Sequence, residues 1–229
     1  MERIAEELMD KLTVETAFTV RLGSIEIPVA ESVVISWVVI AVIGLLSFFL
    51  TRNLKTKNIS KRQAAAEFIV TKLESMVEGM IGEEGKEYIP YLITVLLFIA
   101  FSDIIGIFGM KPPTKDMNVT AALALMSIVL VQAAGIRKKK LKGWLKGFTQ
   151  PIAVVTPINI LELVIKPLSL CMRLFGNVVG AFVIMELLIC IVPVGIPLVF
   201  SMYFDIFDGL LQAYVFVFLT SMYIAEALE

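Results

Sequence analysis

Glu162, Lys166, Arg173, Glu186, Asp205 and Asp208 stand inside two long apolar stretches of this 229-residue sequence. A charge at membrane depth costs ~2.5–3.5 kcal/mol even on the lenient insertion scale, so such groups collect in bundle interiors and wet cavities where ions move. Glu162, Lys166, Ser169, Arg173 and Asn177 step by four, three, four and four residues and therefore share one stripe of a helix. Glu162 and Lys166, acid first at i,i+4, have the favourable order of an intrahelical pair. Arg173 is flanked at that spacing by Ser169 and Asn177, so its counter-charge must come from another helix or another chain. Ser201, Asp205, Asp208 and Gln212 step by four, three and four and make a second stripe. In an antiparallel pair, Arg173 and Gln212 are expected deep between the helices. Asp205, Asp208 and Glu186 then lie toward the outer turn, and Glu162, Lys166 and Ser169 toward the cytoplasm. The chemistry of this arrangement is ion conduction: a polar track from each side, separated by a guanidinium that stays charged.

Other chemistries lack their residues. The sequence contains no histidine, which removes the commonest metal ligand and the commonest neutral-pH general base. Cys171 and Cys190 have no zinc-ligand or CxxC spacing and are expected to be buried as small hydrophobes. No cofactor-binding pattern is present. A net charge of −1 offers nucleic acid no basic face.

The elements that must position these stripes are membrane helices. Apolar residues make up 58% of the chain and charged residues 18%, with mean hydropathy +0.88, well beyond the apolar share of roughly 45–50% in soluble domains. The expected fold is an all-α polytopic membrane protein forming a single membrane domain over residues 1–229. An outer segment, 1–31, precedes a first span at 32–50. An amphipathic helix follows at 60–80, with Ala64, Phe68, Met76 and Met80 on its apolar face. Residues 88–136 hold the second and third spans. Residues 151–228 form a hairpin of two blocks, too long to stand upright in a hydrocarbon core of ~30 Å. The proline- and glycine-containing link at 193–197 is its turn.

Two basic stretches orient the chain. Five positive charges lie between Arg52 and Arg62 and five more between Arg137 and Lys142, both read as cytoplasmic loops. The N-terminal segment, with seven acids before Ser32, and the loop at 111–118 are then outside, and the C-terminus is cytoplasmic. Asp103 and Asp116, near the outer loop, are weak candidates for wetting an outside entrance. The acidic start MERIAEELMD lacks an apolar core, so no cleavable signal peptide is expected.

The segment KPLSLCMRLFGN at 166–177 resembles the signature of subunit a of the F-type ATP synthase. PINILE at 157–162, QAYVFVFLTSMYI at 212–224 and PTKDMNVT at 113–120 are similar to further segments of that family. The resemblance implies a non-catalytic, ion-translocating stator subunit of a bacterial plasma-membrane complex. Its implied partners are the subunit c ring, the subunit b peripheral stalk, the remainder of the ATP synthase and membrane lipid. It implies two aqueous half-channels, with Arg173 facing the ring carboxylate and Gln212 facing the arginine. Proton and sodium both fit, since selectivity rests on the ring. Two positions depart from the family pattern: Phe182 stands where many relatives carry an acid, and Asp205 where others carry a histidine. These departures touch the outer half-channel rather than the arginine. A secondary transporter would show internal repeats or paired broken helices, a passive scaffold gives no reason for Arg173, and a membrane enzyme lacks its catalytic groups.

Overall fold

The computed structural model describes residues 15–22, 25–52, 54–55, 60–147, 156–192 and 195–228. Among them, five helices are long and apolar enough to cross a membrane, the longest spanning Thr156–Ile191. The chain is an all-α polytopic membrane protein with one addition that hydropathy does not reveal. Residues Thr16–Leu22 (β1) and Ile25–Ala30 (β2) pair as an antiparallel hairpin leading directly into the first span. Alternating residues such as Thr19, Val20 and Arg21 suit a strand pair, and that local pattern escapes a search for spans.

Helix α1, Glu31–Thr51, buries only Ile35 and Val39. Helix α2, Lys61–Ile81, starts where the Ser60 hydroxyl accepts from the Gln63 amide at 3.2 Å. Its buried residues are Gln63, Val77 and Ile81, while Ala64 and Phe68 are exposed. Of the expected apolar face, Met76 packs against the core of the bundle while Ala64 and Phe68 point away from it. A 3-10 turn at Glu83–Tyr88 leads into α3, Ile89–Ile104. Helix α4 begins at Met117 and runs to Gly147, interrupted at Lys140 (φ 60, ψ 160). The Trp144 indole donates to the Gln132 side chain at 3.0 Å. Twelve residues of straight helix would separate them by about 18 Å, so the chain doubles back. Arg137–Lys142 is therefore helical on both sides of a break rather than a loop. Arg137 pairs with Glu87 at 2.8 Å and Lys138 with Glu84, joining this stretch to the turn before α3.

Helix α5, Thr156–Ile191, is continuous despite Pro167. At about 1.5 Å per residue it exceeds the hydrocarbon thickness, and it buries only Leu170, Cys171 and Leu174, near its middle. It touches the bundle there and leaves most of its length outward. That is why Cys190 is exposed and not buried as expected, while Cys171 is buried 3.6 Å from the Thr120 hydroxyl. Gly195, at φ +87, opens the short helix α6, Ile196–Ser201, in a backbone region that favours glycine. Residues 193–194 of the expected turn, the start of the fourth block at 151–155, Lys57 in the first basic stretch and residues 1–14 lie outside the described residues. A wider π-type turn, Met202–Asp208, joins α6 to α7, Gly209–Leu228.

Helix α7 is the pillar. Gly209, Gln212, Ala213, Phe216, Val217, Thr220, Ser221, Ile224 and Leu228 are buried, a spacing that covers a broad helical face. It packs against α2, α3, α4 and α5, most extensively against α3. Small residues permit this closeness, as in membrane helix pairs generally. At Gly209 the approach is tightest: a Cβ there would stand 2.7 Å from the Asp103 Cβ. Gly209→Ala is expected to wedge α3 from α7 and destabilise the fold by about 1–3 kcal/mol. Unfolding of the purified protein in detergent with increasing denaturant would measure it, and an unchanged midpoint would disprove the close fit.

Candidate functional site

The pair Lys166–Glu226 sets the register of the C-terminal hairpin. The Lys166 ammonium donates to both Glu226 carboxylate oxygens at 2.8 Å, and lies 3.6 Å from Glu162. The sequence reading paired Lys166 with Glu162 alone and missed Glu226. The signal was available: the two residues are 60 apart, so their midpoint falls in the turn near Ile196. Tyr223 adds its ring 5.1 Å from the same ammonium. With Lys166 opposite Glu226, Gln212 stands at the level of Gly180, about two turns beyond Arg173.

Two cavities open along this hairpin. The larger, about 780 Å³, is walled by α5 from Val178 to Ile189 and by the chain from Gly195 to Gln212. Ser201, Asp205, Asp208, Gln212 and Glu186 all line it, and α3 contributes Asp103. The Ser201 hydroxyl donates to Asp205 at 2.5 Å. All four residues of the second stripe lie on the cavity wall, although a π-type turn falls within it. The smaller cavity, about 250 Å³, lies at the opposite end of the hairpin and is lined by Glu162, Lys166, Glu226 and Tyr223, with Trp144 and Gln132 from α4.

Arg173 lines neither cavity. On α5 it lies between the residues of the two. It is exposed, beside exposed Met172, Gly176 and Asn177, while Leu170, Cys171 and Leu174 turn inward. This corrects the expectation of an arginine deep between the two helices: the buried stripe of α5 is apolar, and the guanidinium occupies the outward face. Among the described residues Arg173 makes no ion pair or hydrogen bond. Asn177 shares this outward face, Ser169 is half-buried, and Gln212 is buried.

The outer rim is built from the hairpin and the loop before α4. Lys111 joins Glu15 at 2.6 Å and Glu31 at 3.3 Å. Asp116, a weak candidate for wetting the entrance, has a structural part instead. One oxygen accepts from the Asn118 amide at 2.9 Å and the other from the Ser32 hydroxyl at 2.5 Å, which caps α4 and ties it to α1. At the departed position, the Phe182 ring lies under the Lys115 ammonium, 3.4 Å from its centroid.

The ring face favours the Lys115 charge, but burial opposes it and prevails, with Lys111 adding repulsion, and the ammonium is pushed down to about 8. Below that pH the full cost of burying the charge is present. It fades as pH rises toward the ordinary lysine value of about 10.4. Lys86 moves the other way, held charged by hydrogen bonds to Glu78 and Glu83. Brief acylation of the folded protein at pH 8 is therefore expected to modify Lys115 ahead of Lys86, read by peptide mass spectrometry. The reverse order would refute the assignment.

With this geometry in place, known proteins supply a match. The sequence model of the ATP synthase A chain matches residues 33–225. ATP synthase subunit a of Moorella thermoacetica is 36% identical over 201 residues, covering 87% of this chain and 91% of that protein. ATP synthase subunit a 3 of Pelobacter propionicus is 37% identical over 205 residues, covering 87% and 88%. ATP synthase subunit a 1 of Crocosphaera subtropica is 33% identical over 200 residues, covering 86% of each. A match that takes in Arg173, most of the residues lining both cavities and all five spans, three of them whole, leaves one conclusion: this chain belongs to the ATP synthase A chain family.

Proposed function

We propose that this chain supplies two ion half-channels and the arginine that separates them, coupling ion flow to rotation of a subunit c ring in an F-type ATP synthase. The observation that carries this reading is the exposed Arg173, set between two cavities that each hold charged side chains, at opposite ends of one hairpin. The cavity with Asp205, Asp208 and Gln212 is the outer half-channel, and that with Glu162, Lys166 and Glu226 the cytoplasmic one. The basic residues at the second end support this orientation, with the N-terminus outside and the C-terminus in the cytoplasm of a bacterial cell.

The ring packs on the outward face of α5, where Arg173 and Asn177 stand among exposed Leu168, Met172 and Ile184. An ion entering from outside neutralises a ring carboxylate, which then moves into lipid. The returning carboxylate meets the guanidinium, which attracts the emptied anion and repels a bound cation. Among the described residues the two cavities share no lining residue, and in this reading ions cross only with the ring. Each charge crossing 100 mV releases ~2.3 kcal/mol. The chain itself performs no chemistry on ATP, and rotation carries the work to the catalytic head. The largely unburied α1 gives subunit b a surface on which to hold the chain still.

Two experiments test this. Arg173→Ala in the reconstituted complex is expected to reduce ATP synthesis to the level of empty liposomes and to raise passive conductance once the head is removed. Arg173→Lys is also expected to fail in synthesis, because a compact ammonium does not reproduce the planar fork. Synthesis near the wild-type rate in the alanine variant would sink the reading. Replacing Asp205 and Asp208 together by Asn is expected to slow ion flow without uncoupling it, and normal flux would reduce both acids to rim residues.

A further inference from the structure

We propose that the corner between α1 and α2, with the flank of α2 that continues it, binds the headgroups of anionic phospholipids in the leaflet it faces. The inference goes beyond the coupling reading and uses only the membrane placement of α1. Four cationic residues meet at this corner: Arg52 and Lys55 after α1, Lys61 and Arg62 at the start of α2. All four are exposed. The corner is held in shape by Gln63, which is 7% exposed. Its side-chain oxygen accepts from the Lys55 amide and its nitrogen donates to the Lys55 carbonyl, both at 3.0 Å. The Arg62 guanidinium donates to the Arg52 carbonyl at 3.2 Å. The backbone is thereby clamped while the four residues stay exposed.

The two basic stretches differ in how their charge is met. In the second, Arg137 pairs with Glu87 and Lys138 with Glu84. Among the described residues of the first, no cation has an acidic partner, so its counter-charge is left to the surroundings. Those surroundings are set by α1, which ends at Thr51 with Phe48 and Phe49 exposed. Residues just beyond such an apolar span stand at headgroup depth. Helix α2 is not among the helices apolar enough to cross a membrane, and it carries the same character onward. Lys61, Ala65, Phe68, Ile69 and Lys72 fall within one sector of it and are all exposed, Phe68 at 71%. Glu67 and Glu74 lie on another side, and Val77 and Ile81 turn into the bundle. Lysine stems beside exposed Phe and Ile, with the acids kept apart, suit the boundary of headgroups and acyl chains. The same apolar residues decide between a lipid and a free anion, since a soluble phosphate makes no use of them. The occupant is a phospholipid of net negative charge, its phosphate among the cations and its acyl chains beside Phe68 and Ile69. Bundle contacts on one flank and lipid on the other then hold α2 from two sides.

The test uses the whole complex in nanodiscs of equal parts phosphatidylcholine and phosphatidylglycerol, each in turn carrying a photoreactive headgroup. Capture on peptides spanning residues 52–72 is measured by mass spectrometry. Phosphatidylglycerol is expected to be captured at least about five-fold more than phosphatidylcholine, the effect of one basic residue at such a surface. Lys61→Gln, Arg62→Gln and Lys72→Gln together are expected to bring the ratio close to one. Phe68→Ser with Ile69→Ser, which keeps the charges, is expected to lower capture of both lipids alike. Equal capture of the two lipids by the wild type would overturn the proposal. Capture of neither would overturn it too, because another subunit would then cover this face. Displacement by soluble glycerol phosphate at constant ionic strength would assign a free-anion site instead and equally overturn it. If the triple variant does not assemble, the wild type in rising salt decides the matter. A ratio falling toward one supports the attraction to headgroups, and a ratio indifferent to salt overturns it. Arg173→Ala tests the coupling reading separately, so neither result stands in for the other.

Discussion

The approach of α3 to α7 at Gly209 is the constraint on which the rest depends. In lipid no hydrophobic force draws two apolar helices together, so they associate through close van der Waals packing between small residues and through a few polar contacts. Gly209, Ala213, Thr220 and Ser221 give α7 a narrow buried face, and α3, which packs on it, buries Leu92, Val95, Leu96 and Ile99. Because α7 is held this way, its remaining sides stay available to α2, α4 and α5. The same contact carries Asp103 to the wall of the larger cavity. Packing and polarity at this point are one arrangement.

Against that pillar, α5 is lightly attached. A 36-residue helix with three buried side chains leaves most of its apolar surface outside the bundle. Light attachment has a physical use. A helix that served as a core element would bury the guanidinium of Arg173 at prohibitive cost unless it was paired. On the outward face the charge avoids that cost. The Lys166–Glu226 pair fastens the far end of the hairpin, and the register it imposes offsets Gln212 from Arg173. The two cavities consequently lie at different levels along α5.

The rim has its own economy. The β-hairpin, Lys111 and Asp116 bind the N-terminal segment, α1 and the start of α4 into one cap. Where many relatives carry an acid, Phe182 offers a ring face to Lys115. Carboxylates on the wall of the larger cavity come from the turn before α7 and from α3 as well as from Glu186.

Hydropathy and spacing by themselves determined the membrane class, the spans, the two polar stripes and the family resemblance carried by residues 166–177. Each is a local property: an apolar run long enough for a bilayer, a four-residue step on a helix, or a short motif. The stripe Ser201, Asp205, Asp208 and Gln212 was legible for that reason, even though a π-type turn lies within it. Which neighbour each stripe faces is another kind of question, because a helix of this composition is apolar on nearly every side and its pattern does not select a partner. Tertiary packing decided that Arg173 points outward, that Phe68 leaves the bundle and that Lys166 reaches Glu226. It also decided that Asp116 caps a helix while Asp103, similar in the sequence, joins the cavity. The difference between those two aspartates is set by Gly209, whose missing side chain lets a distant helix come close enough to enclose one of them.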